Sequence, residues 1–219
     1  MDRASSPKIK AVILDYGEVL CYPPTAEEWA RMAAVFDLDP QIFRKLWGRD
    51  RLVYDRGDIS YEGYWSKLAA EASVNLMPEQ LEKVGLWDLE MWGHVNPAMV
   101  DWTEQLRLSG IKVGLLSNMP IEMIGYSRRN FAWLKDFDHT TFSADVRLVK
   151  PEPAIYEHSL QGVGVEATEA LFLDDKEANV LGAREVGMRA LRFQSIDQLR
   201  NDLKRLDFPI EPAPVAAER

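Results

Sequence analysis

Four short apolar runs, separated by amphipathic stretches, constrain the fold of this chain more than any other feature of its sequence. They lie at residues 9–14 (IKAVIL), 111–116 (IKVGLL), 171–173 (LFL) and 188–193 (MRALRF). Each is bounded by polar residues or glycine, the pattern of strands buried on both faces. Helical periodicity fills residues 98–108, 121–134, 152–161 and 176–186. Gly110, Gly162 and Gly187 end these patterns, as glycine tolerates the left-handed conformation past a helix end. Strands alternating with helices predict an α/β fold, a Rossmann-like parallel sheet covered on both faces.

One connection is too long for that scheme. About 90 residues separate Leu20 from the second run, whereas a strand–helix–strand crossover needs only about a dozen. The interval reads as helices at 26–36, 41–46, 61–72 and 78–92, with breaks at Pro23-Pro24, Pro40, Gly57-Asp58 and Asn96-Pro97. A helical insertion leaving the carboxyl end of the first strand stands where open parallel sheets bind ligands, and so is placed to act as a cap. The expected division is a core domain at 1–21 and 97–208, a helical cap domain at 22–96, and a disordered Pro- and Ala-rich tail at 209–219.

Composition narrows the partners. With 26 Lys and Arg against 35 Asp and Glu, the net charge of −9 opposes nucleic-acid binding. A single cysteine, Cys21, excludes an internal disulfide and a Cys-based zinc site. No apolar stretch approaches the roughly 18 residues that span a bilayer, and the opening MDRASSPK lacks the apolar core of a signal peptide. The expectation is a cytoplasmic protein without a membrane partner; oligomeric state leaves no signal.

Polar residues fall at the ends of the runs. Asp15 follows the first, Ser117 and Asn118 the second, and Asp174 and Asp175 the third, while Lys150 sits in a loop (VKPEP) before a helix. In a parallel sheet all these ends face one edge. Each residue alone is an ordinary turn or cap residue; together, a carboxylate, a hydroxyl, a lysine and a carboxylate pair on one rim form a candidate reactive site.

These stretches resemble the four motifs of the haloacid dehalogenase (HAD) superfamily, in order, over residues 9–193. The motifs are AVILDYGEVL with Asp15, GLLSN with Ser117, VKPEPAIYE with Lys150, and LFLDDKEANVLGAREVGM with Asp174, Asp175 and Asn179. The resemblance implies a HAD core with an inserted helical cap, and an Mg²⁺-dependent phosphatase acting on a small phosphorylated metabolite, with a sugar phosphate as one candidate. It assigns Asp15 as the nucleophile that forms an aspartyl-phosphate. Mg²⁺ would be held by Asp15, Asp175 and the backbone carbonyl of Gly17, with Asp174 and Asn179 orienting those ligands. Ser117 and the adjacent Asn118 N–H would bind phosphate, and Lys150 would offset charge on Asp15 and substrate.

One position departs from the motif. Most HAD phosphatases carry a second Asp where Gly17 stands, and it serves as general acid and base; its loss is worth about 10² to 10⁴ in rate. Glycine there is similar to a branch opening "Asp-x-Gly-Asn-Val", which includes α-D-glucose-1-phosphate phosphatases and lies near the N-terminal phosphatase domain of soluble epoxide hydrolases; here Glu18 replaces the Asn. Glu18 stands as either a substitute acid or a turn residue. The loop from Tyr54 to Ser60 resembles that branch's cap loop, with Arg56 either a substrate contact or a solvated side chain. Two alternatives remain: an impaired HAD-fold binding protein, and a metal-free 2-haloacid dehalogenase, which would have no need of the acidic pair. Five of the seven tryptophans lie in the insertion and are expected to build its core, with one or two lining a pocket. Cys21 reads as a buried hydrophobe, and His94, His139 and His158 show no metal spacing.

Overall fold

The structure is a computed structural model and describes residues 8–214. Most of the segment read for a signal peptide, residues 1–7, lies outside the described residues.

The core is a five-stranded parallel sheet in the order β3-β2-β1-β4-β5, with β1 at Ala11–Leu14, β2 at Lys112–Ser117, β3 at His139–Phe142, β4 at Ala170–Asp174 and β5 at Arg189–Arg192. Register sets Leu14 beside both Leu115 and Leu173, so β1, β2 and β4 end within two residues of one level. Alternation along β1 sends Val12 and Leu14 to one face and Ala11 and Ile13 to the other. The first face packs on α6 (Pro97–Leu108), α7 (Ile121–Asn130) and α11 (Ile196–Arg205), the second on α9 (Pro153–Val163) and α10 (Glu177–Glu185). A single-turn helix, α8 (Ser143–Val146), follows β3.

Between β1 and α6 stand five helices: α1 (Ala26–Val35), α2 (Pro40–Arg49), α3 (Arg51–Asp55), α4 (Tyr61–Glu71) and α5 (Pro78–Glu90). Local signals start several of them. Thr25 and Glu28 form a reciprocal capping box on α1, and Asp39 caps α2 ahead of Pro40. These helices bury their own cluster, built on Trp29, Phe36, Phe43, Tyr64 and Trp65. The chain enters and leaves this cap side by side: Cys21 bridges Val95 in antiparallel fashion, Tyr22 N–H donates to the His94 carbonyl (2.6 Å), and Asn96 N–H donates to the Leu20 carbonyl (2.9 Å).

Several expectations are corrected. The edge strand β3 was not anticipated, because HTTF lacks an apolar run; the Asp138 carboxylate beside it accepts from Val113 N–H at 2.7 Å. The helix expected over 121–134 stops at Asn130, where Phe131 turns extended and a 3₁₀ turn follows. Gly162 does not end α9: a Cβ there would fall 2.2 Å from His139 Nε2, so it is a packing glycine against β3, and Gly164 (φ +73°) makes the left-handed turn. Residues 209–214 of the tail expected to be disordered are held to the core, with Trp102 Nε1 donating to the Ile210 carbonyl (3.2 Å) and Glu211 paired with Arg200 (3.3 Å); residues 215–219 lie outside the described residues.

Candidate active site

The carboxyl edge of the sheet gathers the rim residues. Asp15 follows β1, its N–H donating to the Leu173 carbonyl (2.9 Å), so the neighbouring strand fixes the position of its carboxylate. That carboxylate accepts from Tyr16 N–H (2.7 Å) and from Lys150 Nζ (2.9 Å). Lys150 is 2% exposed and also donates to Asp174 (2.6 Å) and to the Leu116 carbonyl (3.0 Å). All three of its N–H bonds are used. Burial pushes its ammonium down, but the charges of Asp15 and Asp174 outweigh that and hold it above the usual lysine range.

Asp174 is fully buried and further accepts from Asn179 Nδ2 (2.9 Å) and Lys176 N–H (2.8 Å). Asp175 is raised to about 7, first by burial, then by the charges of Asp15 and Asp174. One oxygen from each of Asp15, Asp174 and Asp175 lies within 4.8 Å of the others, a cluster that could hold a metal ion. Hard oxygen donors suit Mg²⁺, and the charges of Asp15 and Asp174 that add to the effect of burial on Asp175 are ones a bound cation would offset.

Ser117 ends β2, buried beside the cluster. Asn118 follows Ser117, and its side chain is engaged with Lys150: the carboxamide donates to the Lys150 carbonyl (3.0 Å) and accepts from Lys150 N–H (2.9 Å). The side chain thus positions Lys150, and only the backbone N–H is left for an anion. Gly17 follows Tyr16, whose hydroxyl donates to the Trp92 carbonyl. Glu18 takes φ +56°, the left-handed region where Asn is far commoner than Glu, and lines the cavity. This strained turn directly after Asp15 accords with the Asn of the related motif.

A cavity of about 450 Å³ separates this rim from the inserted helices, which contribute Trp29, Arg44, Trp47, Arg51, Leu52 and Asp55 to it. Arg51 donates to Asp55 (2.9 Å) and Asp88 (2.8 Å), and Asp88 also accepts from Trp47 Nε1 (2.8 Å). Burial raises Asp55 to about 6 despite Arg51, with Asp88 adding to the rise. Arg56 does not line the cavity; its guanidinium pairs with Glu152 across to the core. Tyr54 donates to Glu122 (2.8 Å), Ser143 to the Asp55 carbonyl (2.5 Å) and Arg147 to the Gly57 carbonyl, closing the cap onto the sheet edge. The sequence reading passed over Arg44, Arg51 and Asp55, although the i, i+4 spacing of Arg51 and Asp55 marks a helical ion pair. Cys21 is buried, and burial pushes its thiol up to about 12, which leaves it inert.

A family model described as haloacid dehalogenase-like hydrolase matches residues 9–187. The chain belongs to this family. Phosphatase MT3486 of Mycobacterium tuberculosis (strain CDC 1551 / Oshkosh) is 34% identical to this HAD-like hydrolase over 207 residues, covering 90% of this chain and 93% of that protein. Sesquiterpene phosphatase astK of Aspergillus oryzae is 27% identical over 188 residues, covering 84% and 89%. Among solved structures, HAD family enzyme bt-2542 of Bacteroides thetaiotaomicron in complex with magnesium and inorganic phosphate shares the fold, with a TM-score of 0.65, 20% identity, and 85% and 94% coverage. So does the L-2-haloacid dehalogenase RSc1362, with a TM-score of 0.63, 23% identity, and 85% and 86% coverage. No helix among the described residues is long and apolar enough to cross a membrane.

Proposed function

We propose that this HAD-like hydrolase is an Mg²⁺-dependent phosphatase of a small phosphorylated metabolite, with residues 1–21 and 97–208 as its core domain and 22–96 as its cap. The observation that carries the reading is the clustering of Asp174 and Asp175 with Asp15. A dehalogenase attacking carbon has no use for three carboxylates at one point, whereas phosphoryl transfer needs a cation to bring carboxylate and phosphate together. The names of both relatives, each a phosphatase, support the same side of that choice.

Bound between Asp15, Asp175 and the Gly17 carbonyl, Mg²⁺ would neutralise charge shared by nucleophile and phosphate. Asp15 attacks phosphorus in line, the bond from phosphorus to the substrate alcohol breaks, and the alcohol leaves with a proton. Water then attacks the aspartyl-phosphate, releasing inorganic phosphate and restoring the carboxylate. Lys150 holds the attacking oxygen through its 2.9 Å contact, and its place is fixed in turn by Asp174 and Asn118. Ser117 and the Asn118 N–H receive phosphate oxygens. Gly17 supplies no proton to the leaving oxygen, so Glu18, a cap residue or water must. A Cβ at 17 meets only Trp92 Cζ3, at 3.7 Å, so space for a side chain exists.

The test is p-nitrophenyl phosphate hydrolysis with Mg²⁺, with EDTA, and by Asp15→Asn. Loss of activity in both controls is expected; equal rates in all three would refute the reading. This reporter has a good leaving group and tolerates the missing acid, so it also separates a phosphatase from a protein that only binds its ligand.

A further inference from the structure

The wall facing the carboxylate cluster is made of indole and hydrocarbon. Trp29, Trp47, Leu52 and Trp92 line it from the insertion, and Met119 and Met123 from the core. Several polar groups that share the wall are already engaged with one another, while the Trp29 and Trp92 indole N–H groups are buried without a hydrogen-bond partner. Arg51 is held by Asp55 and Asp88, and the Trp47 N–H by Asp88. Among the described residues Arg44 has no carboxylate partner; its guanidinium lies 5.0 Å above the Trp29 ring. A polyhydroxylated leaving group entering this space would lose water and find few groups to replace it. An apolar one would gain by the same transfer.

We propose that the substrate is the phosphate monoester of a bulky apolar alcohol, its hydrocarbon seated against Trp29, Trp47 and Leu52 while its phosphate meets Asp15. The inference rests on the phosphatase reading above and narrows its substrate. The cavity, at about 450 Å³, falls within the range of small-ligand pockets. Its wall is left open at Gly48 on α2, where a Cβ would meet nothing within 4 Å. The four cations around the cavity, Arg44, Arg51, Lys150 and Lys176, face the four carboxylates of Asp15, Glu18, Asp55 and Asp175. A bound divalent ion tips that balance towards a phosphate dianion.

The experiment compares n-octyl phosphate with glucose 6-phosphate, using the full chain with Mg²⁺. Both are esters of primary alcohols, so leaving-group acidity differs little. Each methylene taken out of water is worth about fourfold, and burial of about four predicts a kcat/KM preference for the octyl ester on the order of a hundredfold. Gly48→Phe, which fills the opening, and Leu52→Asp, which charges the wall, should each cut that preference at least about tenfold. Turnover of p-nitrophenyl phosphate without an octyl preference would overturn the substrate class and leave the phosphatase standing. So would an octyl preference that neither variant alters. Inactivity towards all three esters would instead overturn the phosphatase reading itself.

Discussion

Replacing Arg51 by Met tests the electrostatics of the cap across the cavity from the carboxylate cluster. The Arg51 side chain is 13% exposed, and its partners Asp55 and Asp88 are 9% and 3% exposed. Methionine keeps much of the packing against Trp47 and Tyr54, over whose rings the guanidinium lies at 4.4 and 5.4 Å. It leaves two carboxylates buried without a cation. Breaking a buried pair in this way costs about 3–5 kcal/mol. The cost has a ceiling, because a carboxylate can take up a proton instead. With an ordinary pKa near 3.9, that escape costs about 4 kcal/mol per group at pH 7 and about 1.5 at pH 5. The sign follows. A carboxyl whose folded-state pKa is raised adds stability below its unfolded pKa and loses it as pH rises through the folded value. Asp55, already raised to about 6 in the native protein, rises further in the variant. Thermal unfolding followed by tryptophan fluorescence should therefore show Arg51→Met lowered by about 10 °C at pH 7.5, and by less at pH 5. Adding Asp55→Asn and Asp88→Asn should recover most of the loss. A drop that is the same at both pH values, or smaller than about 2 °C at pH 7.5, would refute the buried-charge argument.

Other perturbations act at the sheet edge. Gly17→Asp, tolerated by the 3.7 Å clearance to Trp92, should raise turnover of alkyl phosphates by about 10² to 10⁴ and change p-nitrophenyl phosphate little; no gain on alkyl esters would show that another group already carries the proton. Lys150→Met should reduce kcat by at least about 10², and a variant of near-native rate would remove Lys150 from the mechanism. Because burial, with Asp15 and Asp174, raises Asp175 to about 7, Mg²⁺ must displace a proton below that pH. Calorimetric Mg²⁺ affinity should fall up to about tenfold per unit below pH 7 and level off above it; equal affinity at pH 6 and 8 would contradict this.

Much of the core was legible because buried parallel strands announce themselves as apolar runs that end in polar residues: AVIL before Asp15, GLLS at Ser117, LFLD at Asp174. β3 was not, since an edge strand need not be apolar along its length and HTTF reads as a loop. Helix ends were legible where a left-handed glycine fixed them, as at Gly110 and Gly187, and misread at Gly162, whose missing side chain answers a tertiary contact with His139. The rim residues could be gathered in advance because topology alone aligns strand ends. The ceiling of the cavity could not. Which residues of α2 and α3 face Asp15 depends on how the cap packs on the core, so Arg56, conspicuous in its loop, turns to Glu152, while Arg44, Arg51 and Asp55 line the space.

The antiparallel bridge between Cys21 and Val95 bears on how such a protein changes over time. Both backbone crossings sit at one spot, so the seventy-odd intervening residues hang from the sheet like a pendant on one covalent clasp, steadied by the Tyr54–Glu122, Ser143–Asp55 and Arg56–Glu152 contacts. A pendant so attached cannot drift along the strand tips, and its indoles stay over the same carboxylate. Lineages can therefore rewrite the pendant, residue by residue or whole, without disturbing the order of strands beneath.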